Sequence, residues 1–112
     1  MKQIKIIKIS PEKGLEVKEI SDDLKSLQTE VGGYITIANR SINKNAIAVV
    51  CDEEGKLKGK KVTAQSMSTS EMLVGNLIIA SSRGGNLVSL SEKKIKLVKA
   101  AFVEHRNILA YD

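Results

Sequence analysis

Residues 31–62 read VGGYITIANRSINKNAIAVVCDEEGKLKGKKV, and they contain two strand-like segments separated by turn residues. Residues 34–40 alternate apolar and polar side chains, which predicts a half-buried strand. Residues 46–51 are continuously apolar over the length of a strand, which predicts a central strand covered on both faces. The acidic run that ends at Gly55 has the chemistry of a hairpin turn. This stretch therefore predicts the centre of a β-sheet.

The residues before this stretch predict a hairpin followed by a helix. Residues 2–9 and 15–20 are strand-like, and a proline and a glycine separate them. Ser21 is a suitable N-cap for a helix over residues 21–31, whose apolar residues recur on one face. Gly32 is well placed to end this helix in a left-handed conformation.

The residues after this stretch are less regular. Residues 63–72 are polar and fit either a short helix or an irregular surface loop, whereas residues 73–80 are strand-like. Ser91 is a good N-cap for a final helix over residues 91–104, and the apolar residues of the tail are expected to pack. The chain is therefore predicted to be an α+β protein, with about five strands in an antiparallel or mixed sheet and two helices packed on one face.

Length and composition place this fold in a single domain over residues 1–112. The 112 residues are 42% hydrophobic, which is enough for one core. Cys51 is the only cysteine, so no intramolecular disulfide is expected. The N-terminal isoleucines are interrupted by lysines, and no apolar run approaches the roughly 20 residues that span a bilayer. A soluble, cytoplasmic protein without a membrane partner is predicted.

The chain is basic, with a net charge of +5 from 18 Lys and Arg against 13 Asp and Glu. Lysine dominates, and few arginines are available for the bidentate contacts that specific phosphate readers use. Lysines follow the acidic turn at 56, 58, 60 and 61, and others lie in the first strand. If these strands are adjacent, they form a positive sheet edge that attracts phosphates. Lysines also protect edge strands from aggregation, so a purely solubilising role remains open.

The sequence contains no recognisable catalytic motif. His105 is the only histidine, and its spacing from Cys51 suggests no nucleophile and base pair. One cysteine and one histidine cannot form a zinc site by themselves. No enzymatic activity, cofactor or metal is therefore expected. The loop that contains Arg83, Gly84 and Gly85 fits a backbone nest for an anion.

Two short motifs, together with the order of elements, resemble a known family. The motifs are Gly-Gly-Tyr at 32–34 and Asp-Glu-Glu-Gly at 52–55, with Leu57 behind the second. The chain is similar to the family called domain of unknown function 3846 over roughly residues 3–102. Members are expected to be more acidic and richer in aromatic residues than this chain. The resemblance implies an origin in bacteriophages or mobile elements and a small accessory role, and it brings no catalytic residues.

Two functions are expected from these observations. The first is a non-enzymatic accessory binding protein that contacts a host protein, for example to interfere with a defence system. Its binding face would contain Tyr34, Arg40 and the segment 52–61. The alternative is a weak nucleic-acid or nucleotide-ligand binder. It would use the lysine-rich edge together with the loop at 83–85, and a homodimer through an edge strand is compatible with either function. The candidate binding residues of both are Tyr34, Arg40, Lys56, Lys58, Lys60, Lys61, Arg83, Gly84 and Gly85.

Overall fold

The computed structural model describes residues 2–112, which form two helices and ten strands arranged in two sheets. The α+β class predicted from the sequence is confirmed. In chain order the elements are β1 (Gln3–Ser10), β2 (Gly14–Ser21), α1 (Leu24–Val31), β3 (Ile35–Ile42), β4 (Asn45–Asp52), β5 (Val62–Ser66), β6 (Met72–Val74), β7 (Leu77–Arg83), β8 (Asn86–Val88), α2 (Glu92–Ala101), β9 (Phe102–Val103) and β10 (Ile108–Tyr111).

The larger sheet is antiparallel and has the strand order β2-β1-β7-β4-β3, with β8 paired to the end of β7. The predicted opening hairpin is present, because β1 and β2 pair along their whole length, from Gln3 opposite Ser21 to Ser10 opposite Gly14. β4 lies inside the sheet between β3 and β7, and residues 47–52 are all buried. The continuous apolar run therefore does mark a central strand.

The two helices cover opposite faces of the larger sheet, not the single face that the sequence predicted. Ile6 of β1 belongs to the core cluster that contains Leu27 and Val31 of α1. The next residue, Ile7, belongs to a second cluster that contains Ile95 of α2 and side chains of the smaller sheet. Since the central strands are apolar on both sides, each face needs its own cover, and one helix packs on each.

The smaller sheet has the order β6-β5-β10-β9 and was not predicted. It is mixed, because β5 and β10 run parallel, with Leu109 opposite Ala64. β5 lies in a segment that was expected to be a helix or an irregular loop. Its inward residues are small, and both Thr63 and Ala64 are completely buried. Such short side chains give no apolar periodicity in the sequence. The segment forms a strand through its pairing with β10.

Two further boundaries differ from the sequence prediction. The single strand expected over residues 73–80 is broken at Gly75, whose φ of 76° sends β6 and β7 into different sheets. The final helix ends at Ala101 instead of continuing to residue 104, because Phe102 begins β9 and pairs with Leu109. The tail does pack as expected, and Leu109 is completely buried.

The connection over residues 53–61 is a wide loop and not a hairpin turn. β4 belongs to the larger sheet and β5 to the smaller one, so the two strands do not pair. Successive backbone hydrogen bonds shape the loop, including Lys58 N to Glu54 O at 3.1 Å and Lys60 N to Gly55 O at 3.2 Å. The Gly-Gly-Tyr and Asp-Glu-Glu-Gly motifs meet at the base of this loop.

Candidate functional site

A buried carboxylate, that of Asp52, lies at the base of the 53–61 loop. Its side chain has no exposed surface. Oδ1 accepts a hydrogen bond from the Glu54 amide at 2.8 Å. Oδ2 accepts from the Nζ atoms of Lys58 at 2.9 Å and Lys60 at 2.7 Å. The buried charge is therefore paired and hydrogen-bonded on both oxygens, as a buried charge must be.

The Gly-Gly-Tyr motif packs directly against this carboxylate. A Cβ atom on Gly33 would lie 2.8 Å from both Asp52 Oδ2 and Lys58 Nζ, so any other residue here would have to displace these two groups. Gly32 ends α1 in the left-handed conformation, and its amide donates to Gln28 O at 2.7 Å. The two motifs that the sequence analysis singled out therefore form one unit. We call Gly33, Asp52, Lys58 and Lys60 the Asp52 cluster.

Electrostatics keep the Asp52 cluster ionised. Burial alone would raise the pKa of Asp52, but the hydrogen bonds from Lys60 and Lys58 outweigh it and hold this pKa well below its ordinary value. The hydrogen bond between Lys58 and Asp52 also raises the pKa of Lys58. A carboxylate that remains charged at neutral pH cannot act as a general acid there, since a general acid must carry a proton to donate. The cluster anchors the loop.

The four candidate lysines of the loop divide into two pairs. Lys58 and Lys60 contact Asp52, so their charge is compensated within the molecule. Lys56 and Lys61 are exposed, and neither forms an ion pair with any other residue of the described range 2–112. Only the second pair carries positive charge that no ion pair within residues 2–112 compensates. Lys61 also lines an open groove of about 420 Å³ beside the end of α1.

Two large apolar side chains are exposed on and beside the same loop. Leu57 lies between the lysines of the loop and is 87% exposed. Tyr34 directly follows Gly33 and is 68% exposed, while its carbonyl accepts from the Glu53 amide at 2.8 Å. We call Tyr34, Lys56, Leu57 and Lys61 the loop surface. It combines apolar anchors with positive charge on a backbone that the Asp52 cluster holds in place.

Arg40 belongs to a different cluster. Its Nε and Nη2 donate to the two carboxylate oxygens of Glu71, each at 2.7 Å, and the Tyr111 hydroxyl donates to the same carboxylate. These bonds, first from Arg40 and then from Tyr111, lower the pKa of Glu71 to about 2. Burial and the Glu71 contact raise the pKa of Tyr111. Arg40 is thus engaged in a structural contact with Glu71, which compensates its charge within the molecule.

The sequence analysis did not find Glu71 and Tyr111 as partners of Arg40. Glu71 is 31 residues from Arg40 and 40 residues from Tyr111 along the chain. No local spacing signals such a contact, because it depends on how the smaller sheet packs against β3. The cluster joins β3, the loop before β6 and the C-terminal strand.

The glycine loop at 83–85 is a tight hairpin turn remote from the Asp52 cluster in the topology. Arg83 pairs with Asn86, so Gly84 and Gly85 are the two turn residues between β7 and β8. Their φ angles of 58° and 82° are the left-handed values that this type of turn requires. A Cβ atom on either glycine would meet nothing within 4 Å. The backbone conformation of the turn is sufficient to explain both glycines.

The structure does not form the predicted lysine-rich edge. β1 is an interior strand between β2 and β7, so its lysines do not lie at the edge of the sheet. Lys5 contacts Glu92 of α2 at 3.3 Å, whereas Lys8 contacts Glu30 of α1 at 3.0 Å on the opposite face. Burial raises the pKa of Glu30, but hydrogen bonds from Lys8 and Lys18 outweigh it, and the net shift is downward.

Residues 2–112 contain neither a metal-binding arrangement of side chains nor a helix that could span a membrane. No group of three or more His, Cys, Asp and Glu side chains in this range is arranged to hold a metal ion. Neither helix of the described chain is long and apolar enough to cross a membrane.

Fold and site together define a small α+β protein with two sheets, in which an ion-paired carboxylate locks an exposed loop. Residues 4–103 match the family model described as domain of unknown function (DUF3846), and the chain belongs to this family. The family predicted from the Gly-Gly-Tyr and Asp-Glu-Glu-Gly motifs is confirmed. No curated protein and no solved structure matches the chain.

Proposed function

We propose that this chain is a non-enzymatic binding protein that engages a protein partner through the loop surface. The observation that carries the proposal is Leu57, which is 87% exposed at the tip of a loop whose base is fixed by Asp52. An apolar anchor on a preorganised backbone loses little conformational entropy on binding, so it contributes more to affinity than an equally exposed residue on a mobile loop. Tyr34, beside the loop, supplies a second anchor of a type enriched in binding hot spots.

Charge on the loop favours a protein over a nucleic acid as the partner. Lys56 and Lys61 carry available positive charge, but Glu53 and Glu54 are exposed on the same loop. Such a mixed surface suits a complementary mixed surface on a protein, whereas phosphates would be repelled by the two glutamates. As the biological setting we propose an accessory protein of a bacteriophage or mobile element that acts in the cytoplasm on a host protein, a defence component included.

Affinity capture from host lysate, with and without nuclease, tests the proposal. Leu57→Ser removes the apolar anchor, and Met67→Ser is its matched control, since Met67 is also highly exposed, at 75%, but lies beyond the end of β5. Capture should be lost in Leu57→Ser and kept in Met67→Ser. Equal capture by both variants would remove the loop surface as the binding site.

Charge reversal at Lys56 and Lys61 is a second, independent test of the loop surface. The double variant Lys56→Glu and Lys61→Glu should weaken capture without changing stability, because neither lysine has an ion-pair partner among residues 2–112. Lys25→Glu, an exposed change of the same sign on α1, is the control. Lys58 and Lys60 are not suitable for this test, because reversing them leaves Asp52 buried and unpaired.

Nucleic-acid binding is the second candidate, and a different surface favours it. Lys93, Lys96 and Lys99 are exposed along the outer face of α2 at helical spacing. A row of lysines attracts phosphates without reading the sequence of bases. This candidate predicts nuclease-sensitive capture and retention on DNA or RNA that falls steeply with salt. Reversal of these three lysines should abolish the retention, whereas Leu57→Ser should not affect it.

A further inference from the structure

β3 is an edge strand whose backbone faces open space on one side. It pairs only with β4 at the end of the larger sheet. The Tyr34 carbonyl accepts from Glu53, so the backbone of residue 34 points toward β4. The Ser41 carbonyl accepts from the Asp112 amide at 2.9 Å, so the backbone of residue 41 points the other way. Backbone directions alternate along an antiparallel strand, so the odd-numbered residues of β3 present their N–H and C=O groups to the open side.

The open side is available over residues 35–39. By this alternation the amides of Ile35, Ile37 and Asn39 point outward. The contact with Asp112 closes the edge only at Ser41. The Asn39 carbonyl accepts from Arg40 Nη1 at 2.8 Å and retains a second lone pair. Three amides in a regular alternating row form a template for another strand.

Unlike the opposite edge of the same sheet, this edge carries no charged residue over residues 35–39, and Arg40 beyond them is paired with Glu71. β2 is the other edge strand, and it contains Glu16, Lys18 and Glu19. Residues 35–39 read ITIAN, with neither charge nor proline. Charged residues and prolines are the usual means by which proteins prevent edge strands from pairing. The contrast within one sheet indicates that the β3 edge is built to be paired.

Apolar side chains next to this edge are exposed as well. Ile37 is 46% exposed, and Leu24, the first apolar residue of the α1 stripe, is 60% exposed. Both line one groove of about 590 Å³ on the α1 face of the sheet. α1 has only 8 residues, so it covers the sheet near Leu27 and leaves the part next to Ile37 open.

We propose that a second copy of this chain pairs antiparallel with β3, with Ile37 on the twofold axis. In this register Ile37 faces Ile37 of the second copy, and Ile35 faces Asn39 of the second copy. The outward residues 35, 37 and 39 are symmetric about residue 37, so each outward amide meets a carbonyl of the other copy. The paired segment holds no charge that could repel its own copy.

The same symmetry explains the exposed apolar side chains. A twofold axis perpendicular to the sheet keeps α1 of both copies on one face. Ile37 and Leu24 of each copy then line a shared groove that the dimer partly closes. The larger sheets of the two copies become one continuous sheet. Lys56, Leu57 and Lys61 of the loop surface lie outside the paired segment, and only Tyr34 directly precedes it, so this proposal and the proposed function, which Leu57 carries, can fail independently.

Sedimentation velocity of the full chain over a wide concentration range tests the dimer. We expect a reversible monomer–dimer equilibrium. Ile37→Lys places two like charges opposite each other on the axis and should raise the dissociation constant by about tenfold or more. Val17→Lys is the matched control, because Val17 is a 36% exposed residue of the charged edge strand β2. It should leave the equilibrium unchanged.

A backbone variant and an exchange measurement identify the edge independently of side-chain charge. Asn39→Pro removes an outward amide without touching the β4 pairing, a position where proline is tolerated, and it should also dissociate the dimer. Circular dichroism of each variant confirms that it is folded. Amide hydrogen exchange should show residues 35, 37 and 39 protected at high concentration and unprotected on dilution.

Three results would overturn the proposal. A wild-type chain that stays monomeric at every concentration would do so, including a monomer that instead captures a strand of another protein. So would a dimer that folded Ile37→Lys and Asn39→Pro variants both leave intact. Protection that appears on β2 and not on β3 would place the interface elsewhere.

Discussion

Gly33 and Asp52 decide the local structure at the scale of single residues. Asp52 is a fully buried side chain that remains charged because two ammonium groups and one amide donate to it. Breaking such a cluster by removing one partner leaves an uncompensated buried charge, which is strongly destabilising. Gly33 is part of the same arrangement, since the space that its missing Cβ leaves is filled by Asp52 and Lys58.

The first prediction concerns this space. Gly33→Ala should lower the free energy of unfolding by about 1–3 kcal/mol, because the new methyl group overpacks a buried carboxylate that is held by three hydrogen bonds. Gly59→Ala is the comparison. Gly59 has φ of 70° and nothing within 4 Å, so its cost of about 1–2 kcal/mol comes from backbone conformation alone. Urea denaturation monitored by circular dichroism gives both values.

A double-variant cycle separates overpacking against Asp52 from the cost of backbone conformation. In an Asp52→Ala background the carboxylate that crowds Gly33 is gone, and Lys58 Nζ loses the hydrogen bond that holds it beside Gly33, so Gly33→Ala should cost clearly less than in the wild type. Gly59→Ala should cost the same in both backgrounds. An unchanged cost of Gly33→Ala would show that the carboxylate is not what excludes a side chain there.

The second prediction concerns acid stability and Glu71. The pKa of Glu71 is lowered from 4.5 to about 2 in the folded protein. The unfolded chain therefore binds more protons than the native state in this window, and stability falls as pH falls. The contribution of Glu71 is fully present above about pH 4.5 and is lost progressively toward pH 2.

Glu71→Gln measures this contribution, because glutamine does not titrate. The variant should be less stable than the wild type at neutral pH, and the difference should shrink between about pH 4.5 and pH 2. Urea denaturation across this range compares the two profiles, so that other titrating carboxyls cancel. Parallel profiles would contradict the assignment.

At the scale of elements, signals that lie close in the chain were readable and those between distant segments were not. Ser91 is the predicted N-cap of α2, and its Oγ accepts from the Lys94 amide at 3.2 Å. Gly32 ends α1 as predicted, with φ of 87°. The N-cap of α1, however, is Asp23 and not Ser21, because β2 continues through residue 21. The hydroxyl of Ser21 donates to the Asp23 carboxylate instead.

The smaller sheet shows why the remaining elements could not be predicted. β5 is held by a parallel neighbour whose Leu109 lies opposite Ala64, far away in the chain. A segment with small side chains adopts a strand only because that neighbour buries it. The same reasoning applies to the candidate binding residues. Charge alone did not distinguish Lys58, which contacts Asp52, from Lys56, which does not.

The third prediction concerns the contact that joins the two sheets. Tyr111→Phe removes only the hydroxyl that donates to Glu71 and should lower the free energy of unfolding by about 1–2 kcal/mol. Tyr34→Phe is the matched control, since Tyr34 is 68% exposed, and it should change stability by no more than about 0.5 kcal/mol. Thermal and urea denaturation measure both. Equal effects would mean that the Tyr111 hydroxyl does not hold the sheets together.

At the scale of the whole molecule, the interior strands make one cooperative unit. Val49 of β4 packs in the cluster under α2, and its neighbour Val50 packs in the cluster under α1. β4 therefore contributes to the core on both faces of the larger sheet. Neither α1 on one face nor α2 and the smaller sheet on the other are expected to unfold separately.

The fourth prediction follows from this shared support. Val49→Ala and Val50→Ala each truncate a completely buried side chain and should each cost about 1–3 kcal/mol. Both variants should still unfold in a single transition, with amides of α1 and β10 losing protection together in native-state hydrogen exchange. Thr36→Ala, on the exposed surface of β3, should remain close to the wild type. If the α1 amides of Val50→Ala lost their protection before the β10 amides did, the two faces would be independent folding units.

The way in which Asp52 holds the 53–61 loop has a consequence for how this fold can diversify. The anchoring side chains come from Lys58 and Lys60, on the returning half of the loop, while Leu57 and Lys56 form a tip that contributes nothing to the anchor. Exposed side chains at such a tip tolerate replacement, because the Asp52 anchor does not use them. The same scaffold can therefore carry tips of different sequence while the Asp52 cluster keeps the loop backbone in place.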